Sequence, residues 1–265
     1  MNEKLKEAIE LSEKGKYKQA VKILESLLKK EPMNEQALFE IAYALLSLED
    51  DGPALDWLKV LLSVNPEYPG ARDWYSRTVA KYGNKIEAAE IKYSDLRSKP
   101  NGELGMGVSP YGWTDCAEYY FLGSQPNRAK EILDEYFKYE SGVTSYESHK
   151  SAPYRLYSKI LRSEGCFEEA LSMCLKALGQ KHPVPADHEL RVWLLLDLRR
   201  DSDAILEYDK MIKEVFGGMD RFVQIQPLKK VIDEIRLTRR RTEREYAPVA
   251  ADVSAQPANC RQRRY

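Results

Sequence analysis

The chain has 265 residues, 43% of them hydrophobic and 31% charged, with 41 basic side chains against 42 acidic ones and a formal net charge of −1. That balance excludes a disordered polyelectrolyte and fits a folded, water-facing protein. No apolar run approaches the roughly 18 residues that a membrane-spanning helix needs. The first ten residues, MNEKLKEAIE, are charged and periodic, so no signal peptide is read and a cytoplasmic location is expected.

The stretch GKYKQAVKILESLLKKEP, residues 15–32, has the apolar spacing of one amphipathic helix closed by Pro32. Proline recurs at Pro66 and Pro100, in steps of 34. Ala20 and Ala54 keep the same step, as do Leu24 and Leu27 with Leu58 and Leu61. Alanine lets two helix backbones approach closely. The leucines four and seven residues later fill the groove between helices. Proline cannot continue a helix and sets the turn to the next unit.

A third unit closes on Pro100, with Gly83 at its turn. Its second helix offers two registers. Ala88 as the crossing residue would bury Lys92 and Asp95, which is costly. Ala89 would bury Tyr93 and Leu96, and that register is preferred. NGELGMGVSP (101–110) breaks the pattern. A fourth unit then carries Trp113, Cys116, Ala117 and Tyr120, with Pro126 opening its second helix and Ala129 at the crossing. ESGVTSYES (140–148) is a second insertion. A fifth unit turns at Gly165 and crosses at Ala170, and a sixth crosses at Ala204, 34 residues later. Residues 220–245 read as a closing helix. Residues 246–265 lack periodicity, and disorder is expected there.

The 34-residue period with A-x3-L-x2-L-x4-P, and the WTDCAEYY segment, resemble the tetratricopeptide repeat. The resemblance covers roughly residues 2–216, with Cys116 and Ala117 standing where the family pattern has leucine and glycine. It implies an all-α, right-handed α-solenoid of about six helical hairpins with a C-terminal capping helix. The units are 1–34, 35–68, 69–100, 110–143, 150–183 and 184–217, capped by 220–245. A fold of this kind does not by itself specify a function.

Catalytic and ligand chemistry find little support. Gly102, Gly105 and Gly107 match neither the dinucleotide fingerprint nor a P-loop. His182 and His188 are separated by two prolines, which excludes helical metal-ligand spacing. Cys116, Cys166, Cys174 and Cys260 form no C-x-x-C pair, and reduced thiols are expected. Cys166 sits among acids, which raise a thiol pKa. No enzyme activity, metal, cofactor or small-molecule substrate is expected. From residue 236 onward, eight arginines face Glu243, Glu245 and Asp252, a local charge of +5. Arg239, Arg240, Arg241 and Arg244 offer a nucleic-acid alternative, but the acidic remainder of the chain opposes a polyanion.

The resemblance implies protein binding on the concave face lined by each unit's first helix. The side chains placed there are Leu5 and Ile9; Phe39 and Tyr43; Asp73, Arg77 and Lys81; Tyr111, Thr114, Glu118 and Phe121; Arg155, Lys159 and Arg162; Glu189 and Trp193. Apolar residues in the first two units argue against the lysine and asparagine carboxylate clamp of chaperone-binding relatives. Arg155, Lys159 and Arg162 follow i, i+4, i+7 spacing and suit an acidic segment of a protein or peptide partner. Alternatively, neighbouring acids such as Glu118 or Glu189 neutralise them. The expected role is adaptor, chaperone or regulator. A sharper version is an immunity-type neutralising protein that grips a toxin or effector through the two insertions.

Overall fold

The computed structural model describes residues 2–98, 110–139, 150–217 and 225–245. Thirteen helices and no strand occur among them. Five hairpins come first: α1 (Glu3–Glu13) with α2 (Tyr17–Leu28), α3 (Glu35–Ser47) with α4 (Asp51–Val64), α5 (Ala71–Lys81) with α6 (Lys85–Ser98), α7 (Pro110–Leu122) with α8 (Pro126–Tyr139), and α9 (Ser151–Ser163) with α10 (Phe167–Leu178). Then come α11 (Pro185–Asp197), α12 (Asp201–Glu214) and α13 (Gln226–Glu245). The chain divides into two compact units, Met1–Leu190 and Arg191–Tyr265. Residues 101–109 and 140–148 of the two expected insertions and the tail 246–265 lie outside the described residues, while Pro110 opens α7.

One turn builds every hairpin. Gly15, Glu49, Gly83, Ser124, Gly165 and Arg199 all have positive φ, between 59° and 92°. In five of these turns the next residue's N–H closes on a carbonyl five positions back: Lys16 on Leu11, Asp50 on Leu45, Gln125 on Tyr120, Cys166 on Leu161 and Arg200 on Leu195, at 2.8–3.0 Å. That is the Schellman closure, which satisfies carbonyls the ending helix leaves open. The spacing between turns is 34 residues, except for the two steps that contain an insertion. Asn2 and Asn34 cap α1 and α3 through their side-chain oxygens.

In Met1–Leu190 the crossing alanines Ala20, Ala54, Ala129 and Ala170 are fully buried. Leu24, Leu27, Leu58 and Leu61 join Leu38 and Ile41 in one core across α1–α4. Each such leucine contributes about 2 kcal/mol of burial. Trp113, Cys116, Ala117 and Tyr120 line a second core with Ile132, Leu133 and Tyr136. The register of α6 departs from a choice between alternatives, because the helix is buried on two sides. Ala89 and Leu96 face the α7–α8 core, while Ala88 packs with Val79 and Ala80. Lys92 is buried as well. Its charge is tolerated because Asp73 on α5 and Asp115 on α7 both pair with it.

In Arg191–Tyr265, the core holds Leu194, Leu195, Ala204, Tyr208 and Met211 with Ile225, Leu228 and Ile232 from the start of α13 and the residue before it. Arg191 pairs with the buried Glu207 at 3.0 Å. The expected capping helix is α13, with one apolar face against α12 and Arg236 over the Tyr208 ring at 5.8 Å.

Candidate protein-binding face

The first helices of the hairpins carry the side chains expected at a binding surface. Leu5 is buried and Ile9 is half-buried against the core, so both serve packing. Phe39 is half-buried, with its ring 5.2 Å from Tyr68. Tyr43 is exposed and touches two rings edge-on: Tyr17 at 6.3 Å and Trp74 at 6.0 Å. Tyr17 opens α2 and Trp74 sits on α5, so the aromatic run crosses three hairpins. Edge-to-face pairs hold such rings in place and leave amphipathic surface outward. Glu40, one turn before Tyr43, is half-buried, and its pKa is raised by that burial and by Glu13.

The middle of the face is an ion-pair network. Arg77 pairs with Asp73 at 3.0 Å and with Asp115 at 3.5 Å, and both carboxylates also hold Lys92. Lys81 bonds Asp51 at 2.5 Å, which raises its pKa. Arg77 and Lys81 are therefore tied down at their heads while most of each side chain faces water. Tyr111 and Glu118 on α7 are exposed, and Thr114 and Phe121 are half-buried.

The cationic row on α9 divides. Arg155 reaches Asp187, a carboxylate with no exposed surface, at 2.8 Å. Asp187 also accepts the Val184 N–H at 2.8 Å, which settles its role as an anchor for the start of α11. The acid that neutralises Arg155 is thus neither Glu118 nor Glu189. Spacing on α9 alone could not reveal it, because Asp187 lies 32 residues away. Lys159 is exposed and Arg162 is half-buried. Trp193, on the part of α11 within the second unit, is half-buried.

Burial pushes the Cys116 thiol up to about 12, and its Sγ lies 3.5 Å from the Ala89 carbonyl. No metal-ligating cluster occurs among the described residues. An open depression of ≈ 430 Å³ lies between α4, α5 and α6. Its two charged side chains are engaged: Arg72 donates to the Pro66 carbonyl and to Glu67, and Glu90 accepts from Tyr120. No helix among the described residues is long and apolar enough to cross a membrane.

Comparison with known proteins fits this architecture. Residues 5–72 match the family model for the tetratricopeptide repeat. No curated protein matches the chain. Among solved structures, MamA (residues 41 to the end) from Desulfovibrio magneticus RS-1 is 13% identical, with a TM-score of 0.54 over 67% of this chain and 95% of that one. A tetratricopeptide repeat protein from Parabacteroides merdae ATCC 43184 is 16% identical, with a TM-score of 0.54 over 87% of this chain and 82% of that one. The Naa15/Naa10 structure bound to HypK-THB is 17% identical, with a TM-score of 0.50 over 92% of this chain and 36% of that one. The matched segment, the shared fold and the 34-residue turns agree: residues 5–72 carry the tetratricopeptide repeat, and the chain has the helical-hairpin fold of tetratricopeptide-repeat solenoids.

Proposed function

We propose that the unit Met1–Leu190 is a non-catalytic protein-binding module, and that the first helices of its hairpins form the docking face. The observation that carries this reading is Tyr43, exposed at the centre of a ring run that spans three hairpins. A solvent-facing aromatic held by its neighbours is already ordered, so binding costs little side-chain entropy. Phe39, Arg77, Lys81, Tyr111 and Glu118 extend the face along α3, α5 and α7. On α9, Lys159 and Arg162 would take an acidic segment of the partner. Arg155 would serve that surface indirectly, by holding Asp187.

The Naa15/Naa10 structure, in which a chain shares this fold over 36% of its length, is bound to HypK-THB, and that supports a protein partner here. The nucleic-acid alternative is less favoured. The acidic remainder of the chain opposes a polyanion, and Arg239, one of the arginines on which that alternative rests, donates to the Ser202 hydroxyl at 3.0 Å. The test is a photo-crosslinking amino acid placed at Tyr43 or at Val60, which is exposed on the second helix α4. In the source cell, a crosslinked protein at position 43 and none at position 60 is expected. The reverse pattern would move the binding face to the second helices.

A further inference from the structure

Two helices of the docking face, α3 toward its N-terminal side and α9 at the other end, carry opposite charge. Helix α3 has two carboxylates, Glu35 and Glu40, and no basic residue, whereas α9 has Arg155, Lys159 and Arg162 and no acid. Glu35 is occupied, since its Oε2 accepts the Asn65 side-chain N–H at 2.8 Å. Glu40 differs. It is half-buried, no cation among the described residues pairs with it, and the charge that acts on it is another carboxylate, Glu13. An arrangement of this kind costs stability unless something else compensates it. Glu40 is one helical turn before Tyr43, so the two side chains are neighbours on α3. Tyr43 in turn meets Tyr17 and Trp74. The Asp73, Arg77 and Lys81 groups of α5 are already paired among themselves, with Asp115 and Lys92, or with Asp51, so they do not neutralise Glu40.

Resting on the docking face argued above, we infer that its N-terminal end takes a basic segment of the partner, with an arginine or lysine seated on Tyr43 and Trp74 and paired with Glu40. A cation over an aromatic ring gains from the ring quadrupole, and a half-buried carboxylate beside it adds an ion pair weakly screened by salt. Rings held edge-to-face supply the platform without reordering. Together with Lys159 and Arg162 at the other end, the face then reads a bipolar partner, basic toward α3 and acidic toward α9.

The test uses the full chain and two labelled probes, a short peptide of alternating glycine and arginine and its glutamate counterpart, titrated by fluorescence polarisation. The arginine probe is expected to saturate at low salt. Tyr43→Ala and Glu40→Gln should each weaken it by about fivefold, and Val60→Ala, at an exposed position on the second helix α4, should leave it unchanged. Arginine-probe binding that ignores both α3 substitutions would overturn the inference. If the glutamate probe binds through Lys159 while the arginine probe does not bind, the inference falls and the docking face stands. If neither probe binds, the inference falls, and the docking face is decided separately by the crosslink at position 43.

Discussion

The ammonium of Lys92 on α6 pairs with the Asp73 carboxylate of α5, with only 7% of the lysine side chain exposed. Asp115 of α7 approaches the same ammonium at 3.5 Å, and Arg77 bridges the two acids from outside. Three consecutive helices are thereby joined by charge where the repeat pattern would place apolar side chains. Lys92→Met keeps the stem and removes the charge. It leaves two neighbouring carboxylates with Arg77 alone, and the expected loss is about 2 kcal/mol, below that of a fully buried pair because both acids are partly exposed. Adding Asp73→Asn should cost less than the sum of the two changes, with a coupling of about 1 kcal/mol. Urea unfolding of the four proteins measures it, and strict additivity would contradict the network.

Glu49 stands in a left-handed conformation, φ 59°, where the turns on either side use Gly15 and Gly83. Left-handed backbone costs a non-glycine residue about 1 kcal/mol, and glycine gives back about half of that through its unfolded-state freedom. Glu49→Gly should therefore raise stability by about 0.5 kcal/mol. Gly15→Ala should lower it by about 0.5 kcal/mol, by the same balance in reverse. A Cβ at Gly15 would meet no atom within 4 Å, so backbone strain alone is at issue. Thermal unfolding of the two variants reads both signs.

Arg155 and Lys159 lie one turn apart on α9 and should respond differently. Arg155→Ala leaves Asp187 buried with only the Val184 N–H to stabilise its charge, and a loss of about 3 kcal/mol is expected. Lys159→Ala removes an exposed side chain and should stay within about 0.5 kcal/mol. Equal losses by denaturant titration would show that the row acts as one unit.

Much of this was legible in the sequence, and particular residues show why. Ala20, Ala54, Leu24 and Leu58 repeat because each hairpin solves the same packing problem, so periodicity alone reports their burial. Phe39 and Tyr43 were likewise placed on α3 by register. The partners of polar groups were not legible. Asp187, Asp115 and Tyr17 reach their contacts through the fold, at separations no local pattern encodes. Lys92 read as a cost of the wrong register because its two acids come from different helices. The left-handed turns at Glu49, Ser124 and Arg199 were hidden for the opposite reason. The repeat enforces the conformation there without the glycine that advertises it elsewhere.

Glu40 gives a pH-dependent prediction. Burial and Glu13 raise its folded pKa above the ordinary 4.5. The folded state therefore binds the proton more tightly than the unfolded chain does, and the ionised carboxylate costs stability at neutral pH. That cost is full above the folded pKa and is relieved as pH falls through it toward 4.5. Glu40→Gln should be at least as stable as the wild type at pH 7, with the difference shrinking as pH falls through that window. A variant clearly less stable at pH 7 would mean that Glu40 has a stabilising partner within the chain.

The central claim is that the first-helix face of Met1–Leu190 binds a protein. Affinity capture from the source cell, read by mass spectrometry, tests it most directly. The wild type is compared with Tyr43→Ala and with Lys159→Glu/Arg162→Glu, after circular dichroism has shown that both variants fold. The same protein depleted from both variants is the predicted result. A partner retained equally by the wild type and both variants would contradict the account and place binding elsewhere on the chain.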